Sequence, residues 1–489
     1  MDATFLFSDF APLSGLQRTI FYVGLLVILL LDKPTPFNAP TIVGRVAEPF
    51  YTQSKALSFL VKGVPIVRLL VAARTLTIVF WCAAAAGFLQ PYTAIGTFIG
   101  FAFLHSANSG ALGSNHSTHA ALYALFALCF SASGDAFSFD AVIAQHVPWP
   151  TISPDSVLQS GFALKLMQVT FVYIMVAGGL SKLRHGGLRW LSGKSLHFYV
   201  EGNAPFARNK FVSRLLVSSP RLCAVLATFS VVAELSGVLA LVDTRFVPYV
   251  VLLWVCLHVG ILLVMMPDYW VQMWCYTLLI DWGQLLGLGH APRLLLEPHG
   301  NPAATALAVF FATYCVVLAY VFLRHIEEWP FTAVPMYSNG LVPSERPAAP
   351  RTELHARATR ALGGDVKSWH RPWISTEADE EILVSFKDGR EPMALFWLLA
   401  EHGESFARWS QWAKVVRSVV IEDVASKPFG LSDSSNRDGP ASAFLRRLVP
   451  VLRERLPTAG DIALLEIVYR TAEGPLVVGA ASMSVEERP

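Results

Sequence analysis

Charge is what this chain has least of. Asp, Glu, Lys and Arg make up 15% of its 489 residues, against roughly 25% in an ordinary water-soluble domain. The formal net charge is only +2, too small to suggest nucleic-acid binding, and there is no basic tail. Cysteine is scarce as well. Cys82, Cys129, Cys223, Cys256, Cys275 and Cys315 all lie in apolar stretches, with no CxxC and no Cys/His spacing suited to zinc. They are expected to pack as small buried hydrophobes. No GxGxxG, P-loop, HExxH, CxxCH or GxSxG motif occurs, which argues against nucleotide-driven pumps, zinc proteases and haem carriers. What the chain has in excess is apolar surface. Hydrophobic residues reach 54%, and the mean hydropathy is +0.47. In water such a chain would expose large apolar patches, and disorder is excluded. The composition therefore predicts an integral membrane protein.

A membrane-crossing helix needs about 20 mostly apolar residues. Candidates lie near 17–31, 64–89, 92–111, 117–131, 158–181, 221–242, 246–266, 271–289 and 303–323. The predicted fold is a polytopic α-helical membrane bundle of eight or nine transmembrane helices with a small C-terminal α/β soluble domain. The boundaries are 1–325 for the transmembrane domain, 326–380 for a linker and interfacial segment rich in Pro, Ala and charge, and 381–489 for the soluble part. In that part a strand is expected at Glu381–Phe386, a turn at Asp388–Gly389, helices near 393–418 and 441–456, and a strand pair near 463–470 and 475–480. The first apolar run follows Asp2 and Asp9 rather than a basic stretch, so no cleavable signal peptide is expected.

Basic residues are unevenly placed. None occurs from 75 to 164, whereas 182–221 holds Lys182, Arg184, Arg189, Lys194, Arg208, Lys210, Arg214 and Arg221. With nine spans this loop shares a side with the C-terminal domain, and the positive-inside rule makes that side cytoplasmic.

Ionisable groups inside a membrane are costly and point to function by default. Here they are His105, His116, His119, Lys165, Lys182, Glu234, His258, Asp268 and Asp281. Three groups stand out. Ser114-Asn115-His116-Ser117-Thr118-His119 opens a span and sets two imidazoles on one helix face; the alternative is helix capping with solvated histidines. Lys182 closes a span. It either snorkels to the interface or turns inward, where an apolar site favours the uncharged amine that serves as a general base. Glu234 and His258 fall on consecutive later spans and either join a site or make a structural bond between helices. Asp268 and Asp281, beside Tyr269, Trp270 and Trp282, fit an interfacial belt.

Several segments resemble the vitamin K-dependent γ-carboxylase family and its bacterial relatives, the horizontally transferred transmembrane (HTTM) domain proteins. Ser114-Asn115-His116 resembles the family's Asn-Asn-His motif, and Phe137-Ser138-Phe139-Asp140-Ala141 its Ser-x-Asp signature. Ala177-Gly178-Gly179-Leu180-Ser181-Lys182-Leu183, then Trp190-Leu191-Ser192-Gly193, resembles the stretch that holds the catalytic lysine. Glu234 and His258 match an acidic and a histidine position. Trp329-Pro330-Phe331, Pro335-Met336-Tyr337-Ser338, Phe386-Lys387-Asp388-Gly389-Arg390 and Arg408-Trp409 match later segments, so that the resemblance covers about residues 15–425.

The resemblance implies Lys182 as the base that deprotonates reduced vitamin K, a menaquinone-type hydroquinone. His116 would stabilise charge on the cofactor oxygens. Asn115, Glu234, His258 and Tyr173 are the implied cofactor-binding positions. O2 and CO2 are the co-reactants, and the outcome is quinone epoxidation coupled to γ-carboxylation of a peptide glutamate, a lyase-class reaction. The implied partners are membrane lipid, the quinone and a Glu-containing peptide or protein, with no nucleic acid and no metal. The implied location is a multi-pass protein of the cell membrane. Two other classes stay open: a non-carboxylating membrane factor that binds and helps mature or export a secreted peptide, and a transporter or proton channel. A transporter would need inverted repeats or broken helices, and neither is evident in the sequence.

Overall fold

The structure, a computed structural model, describes residues 15–31, 35–44, 65–112, 116–131, 138–147, 156–203, 207–265, 269–280, 282–286, 302–324, 380–401, 415–416, 419, 439–471 and 474–483. The chain divides into two compact units. One holds Met1–Ala39, Gly63–Ser106 and Ser114–Pro343, and the other holds Pro40–Lys62, Ala107–Gly113 and Ser344–Pro489.

The first unit is helical. In chain order its main elements are α1 (Gly15–Leu31), α2 (Ile66–Ala86), α3 (Tyr92–Leu112, its last turns grouped with the second unit), α4 (His116–Leu128), α5 (Phe139–Ala144) and α6 (Ser156–Leu191, bent at Gly187). There follow α7 (Lys194–Asn203), α8 (Lys210–Ser218), α9 (Pro220–Leu235), α10 (Gly237–Val242), α11 (Val247–Met265), α12 (Trp270–Cys275), α13 (Trp282–Leu285) and α14 (Pro302–Leu323). Among the described residues five helical stretches are long and apolar enough to cross a membrane: Ile66–Ala86, Gly161–Arg184, Pro220–Val242, Thr244–Val264 and Thr305–Leu323. A sixth arises if Gly15–Leu31 and Pro36–Val43, bent by 49°, form one crossing. Helix α3 is 21 residues long, but His105, Ser106, Asn108 and Ser109 make its C-terminal turns polar. The Gly161–Arg184 stretch is central: 78% of it is buried, against 17–44% for the other four.

Two expectations change. The run expected as a span at 271–289 is α12, a 3₁₀ turn at Tyr276–Leu279 and α13. Backbone that leaves the helical pattern needs new partners for its carbonyls, and Gln17 of α1 supplies them. Its Nε2 donates to Leu278 O (2.5 Å) and Ile280 O (3.0 Å), while Trp282 Nε1 donates to Thr277 O (3.0 Å). The cysteines divide: Cys223 and Cys275 are buried as expected, whereas Cys82 and Cys256 lie exposed on span faces. An apolar side chain needs no protein cover where a helix faces lipid.

In the second unit, β1 (Glu380–Phe386), β2 (Met393–Ala394), β3 (Ile462–Thr471) and β4 (Gly474–Ser482) form an antiparallel sheet in the order β2-β1-β3-β4. Phe386 pairs with Ile462 and Ser385 with Leu464, leaving Ala463 unpaired. That bulge shifts the two-residue period, so Ile462 and Leu465 both face the core. Helix α15 (Leu395–Glu401) follows β2, and α16 (Pro440–Arg455) packs on β4 through Ala441, Phe444, Leu445, Leu448 and Leu452, all buried.

The Ser138-x-Asp140 signature has a structural task in the first unit. Ser138 Oγ caps α5 by accepting from Ala141 N–H (3.1 Å). The Asp140 carboxylate accepts Leu89 N–H (2.9 Å) and Gln90 N–H (3.0 Å), and Asp140 N–H donates to Gly87 O (3.1 Å). The turn so held leaves α2 through Gly87 at φ +68°, where a Cβ would lie 2.5 Å from the buried Arg18 guanidinium. Asp140→Ala strips two amides of their acceptor, at about 1–3 kcal/mol each. The expected outcome is a clear drop in the apparent melting temperature of the detergent-purified protein, with a smaller drop for Asp140→Asn.

Candidate functional site

The site is built on one face of α6. Met175, Gly178, Gly179 and Lys182 recur at i, i+3, i+4 and i+7 and so share a side of the helix. Two glycines inside a helix cost about 1 kcal/mol each relative to alanine; here they let α9 approach. A Cβ at Gly178 would lie 3.4 Å from Glu234 Oε1, and one at Gly179 would lie 3.1 Å from Glu234 Cβ and 3.2 Å from a Leu235 methyl. The glutamate therefore lies against bare backbone, and its carboxylate reaches Lys182.

Lys182 Nζ donates to Glu234 Oε1, and both side chains are buried. The lysine turns inward rather than snorkelling. Its ammonium also lies 5.5 Å from the centre of the Trp190 ring, a cation–π arrangement. Trp190 is held by the Trp-x-x-Gly turn that follows. Gly193 takes φ +77° and sits directly against the backbone of Cys223 and Ala224 at the start of α9, which leaves no room for a side chain. Gly193 N–H donates to Trp190 O (2.9 Å).

Around the pair lies a wall of aromatic and polar groups. Trp254 of α11 donates from Nε1 to Ala233 O (2.9 Å), one residue before the glutamate. His258, one turn on, donates from Nδ1 to Trp254 O (2.7 Å). A carbonyl can only accept, so Nε2 is the acceptor nitrogen of the neutral ring. The His258 ring packs edge-on to Tyr269, with centroids 4.7 Å apart, and Lys182 is close enough to act on it electrostatically. The broken segment adds Tyr276, whose ring lies 5.1 Å from that of Trp254 and whose hydroxyl accepts from Gln272 Nε2 (2.8 Å) and contacts Met175 Sδ (3.3 Å). Tyr276 is also within electrostatic reach of Glu234. Two buried polar atoms of this wall have no hydrogen-bond partner: Glu234 Oε2, an acceptor when ionised, and Trp190 Nε1, a donor.

The structure thus brings Lys182 and Glu234 into contact and sets His258 nearby. Tyr173, half-buried, is nine residues before Lys182, two and a half turns away, and so lies on the opposite side of α6 from the lysine. Asn115, Asp268 and Asp281 lie outside the described residues, and of His116 only its place at the start of α4 is described. A second buried polar group joins α3 to α4: His105 Nε2 and Thr118 Oγ1 are 3.0 Å apart, and the His105 and His119 rings meet edge-on at 4.7 Å. Lys165 is buried too, but about 25 Å along α6 from Lys182. Sequence reasoning missed Gln272, Tyr276 and Met175. A glutamine four residues before a tyrosine in an apolar run is the signal that could have found two of them, since that spacing shares a helix face. Among the described residues no group of three or more His, Cys, Asp or Glu is placed to hold a metal ion.

Fold and site together define a helical membrane protein with an acid–lysine pair buried in an aromatic wall. No protein-family model, no curated protein and no solved structure matches the chain.

The two glycines should respond differently to substitution. Gly178→Ala makes only ordinary contact and gains helix propensity, so the melting temperature should hold or rise slightly. Gly179→Leu overpacks the interface and should cost about 1–3 kcal/mol. A thermal shift assay on the two variants checks this, and equal tolerance of both would contradict the close approach.

Proposed function

We propose that this chain is a multi-pass membrane enzyme of the kind its motifs resemble, a vitamin K-dependent carboxylase-like protein. On this reading it oxygenates a reduced quinone and couples that reaction to γ-carboxylation of a peptide glutamate. The chain crosses the cell membrane eight or nine times, with α1, α3, α4 and, for nine, the 271–289 region supplying the crossings beyond the five long apolar helices, and residues 381–489 form a soluble α/β domain. One observation carries the proposal: an inward-facing lysine, buried with a carboxylate, inside a wall of Trp190, Trp254, His258 and Tyr276.

The residues present suit a reduced quinone. A flat aromatic diol needs apolar and aromatic walls with a few polar groups at its oxygens. The unpartnered Glu234 Oε2 and Trp190 Nε1 offer one acceptor and one donor, and Lys182 stands between them in the chain of contacts. A bound hydroquinone supplies the oxygen-reducing chemistry. The protein supplies a base, its positioning and the exclusion of water. Lys182 must act as the neutral amine. Proton transfer from Lys182 to Glu234 yields that amine beside a neutral acid and leaves no unpaired charge in the apolar interior. Lys182 can then take up a proton at Nζ from a bound hydroxyl. His258, with Nδ1 committed to Trp254 O, keeps Nε2 free to accept a hydrogen bond. Asn115 and His116 enter the proposal on the sequence resemblance alone.

The test is quinone turnover. Wild type in detergent, given vitamin K hydroquinone, oxygen and bicarbonate, should form the epoxide, detected by mass. Lys182→Ala should abolish it. Glu234→Gln should slow it by about 10²–10⁴, the usual scale of a lost proton-transfer partner. No epoxide from folded wild type would overturn the proposal and move the search to peptide binding.

A further inference from the structure

Helix α8 is placed and patterned as a membrane-surface element. The spans Pro220–Val242 and Thr244–Val264 are consecutive and joined at Asp243, so residues 220 and 264 lie at the same membrane end. Helix α8 is tied to both. At its start Asn209 N–H donates to Leu263 O (3.0 Å), and Asn209 Oδ1 caps the helix by accepting from Val212 N–H (3.0 Å). At its end Ser219 accepts from Leu222 N–H (3.4 Å), and the chain enters the next span through Pro220. Cys223 Sγ contacts Leu216 O (3.3 Å), and His197 Nε2 bonds Val217 O (2.8 Å). Nine residues rise about 13 Å, a little more than the 8–10 Å between packed helix axes. A helix fixed at both ends to one end of a hairpin lies across that end, in the membrane plane.

Its two sides differ sharply. Ser213 and Leu216 are buried against the spans. The outward side carries Lys210 and Arg214 along one edge, and Phe211 and Leu215 along the other. Phe211 is 76% exposed and Leu215 45%, and Arg214 and the nearby Arg221 are also exposed. A row of cations beside a row of large apolar side chains, on a helix in the membrane plane, matches the headgroup–acyl boundary of a bilayer. The sign of the charge selects the lipid. Residues 182–221 contain eight basic side chains and a single acid, Glu201.

We infer that α8 is a lipid-recognition element that binds anionic phospholipid headgroups of the bilayer the protein spans. Arg214 and Arg221 hold the phosphates, and Phe211 and Leu215 enter the acyl boundary. This inference needs the membrane-spanning fold but not the quinone reaction, and it stands or falls independently of it.

Native mass spectrometry of the full chain in detergent tests it, with titrations of phosphatidylglycerol and of phosphatidylcholine bearing the same acyl chains. Wild type should retain the anionic lipid in preference. Arg214→Gln should weaken its retention about fivefold, and adding Arg221→Gln about fivefold again, the weight of one cation at an anionic surface. Retention of phosphatidylcholine should not change. Phe211→Ser with Leu215→Ser should weaken both lipids alike. Arg68→Gln, an exposed arginine at the start of α2, should leave the preference intact. Equal retention of both lipids by wild type overturns the inference and leaves the face to a protein partner or to none. An Arg68→Gln effect as large as that of Arg214→Gln overturns it as well, since the preference would then belong to basic residues at large.

Discussion

A lysine and a glutamate sealed among apolar helices are tolerable only together. Either charge alone, taken out of water, carries a penalty of several kcal/mol. The contact between Lys182 and Glu234 is therefore a condition on everything around it. It requires α9 to lie close against α6, which requires Gly178 and Gly179 at the point of approach. It requires the turn after α6 to fold back onto the start of α9, which Gly193 permits by sitting directly on the Cys223–Ala224 backbone. It also fixes which way Lys182 points, and with that the identity of the surrounding wall.

The broken segment after α11 completes that wall. A continuous helix through 270–286 would present one stripe of side chains. The 3₁₀ turn instead lets Tyr276 pack on Phe171 and Trp254 while its hydroxyl bonds Gln272. The carbonyls freed by the break need donors, and Gln17 and Trp282 provide them. Polar residues that look out of place in apolar runs thus have two kinds of work. Gln17 and Asp140 satisfy backbone where a helix stops; Lys182 and Glu234 satisfy each other. Beside that pair two buried polar atoms, Glu234 Oε2 and Trp190 Nε1, have no hydrogen-bond partner, and those are what a ligand could use.

Much of this was legible beforehand. The long apolar runs gave the spans at Ile66–Ala86, Pro220–Val242 and Thr305–Leu323 within a few residues, because period and length together leave little freedom. Three of the four described strands of the C-terminal unit, β1, β3 and β4, were legible from alternation and turn residues, whereas β2 at Met393–Ala394 stands where a helix was expected. Lys182 and Glu234 stood out among nine ionisable groups in or near the spans because such a group needs a reason, and the family resemblance singled them out as site residues. Their direct contact was not legible, because pairing across 52 residues is set by helix packing. The break at 276–280 was hidden as well: Tyr and Thr read as part of an apolar span, and only the donors Gln17 and Trp282 reveal that its backbone bonds go elsewhere. Tyr173, a position implied by the resemblance, lies half a turn out of phase with Lys182, so the helical period sets it on the other side of α6.

The central claim is that Lys182 and Glu234 form one buried unit, and a double-mutant cycle on stability tests it most directly. Lys182→Met and Glu234→Leu, made singly, each strand one buried charge-bearing group and should each cost about 3–5 kcal/mol. Made together they replace the pair with apolar volume and should recover most of that loss, giving a coupling of several kcal/mol between residues 52 apart. Additive losses would contradict the account, since two groups that do not depend on each other cannot be the contact around which the site is built.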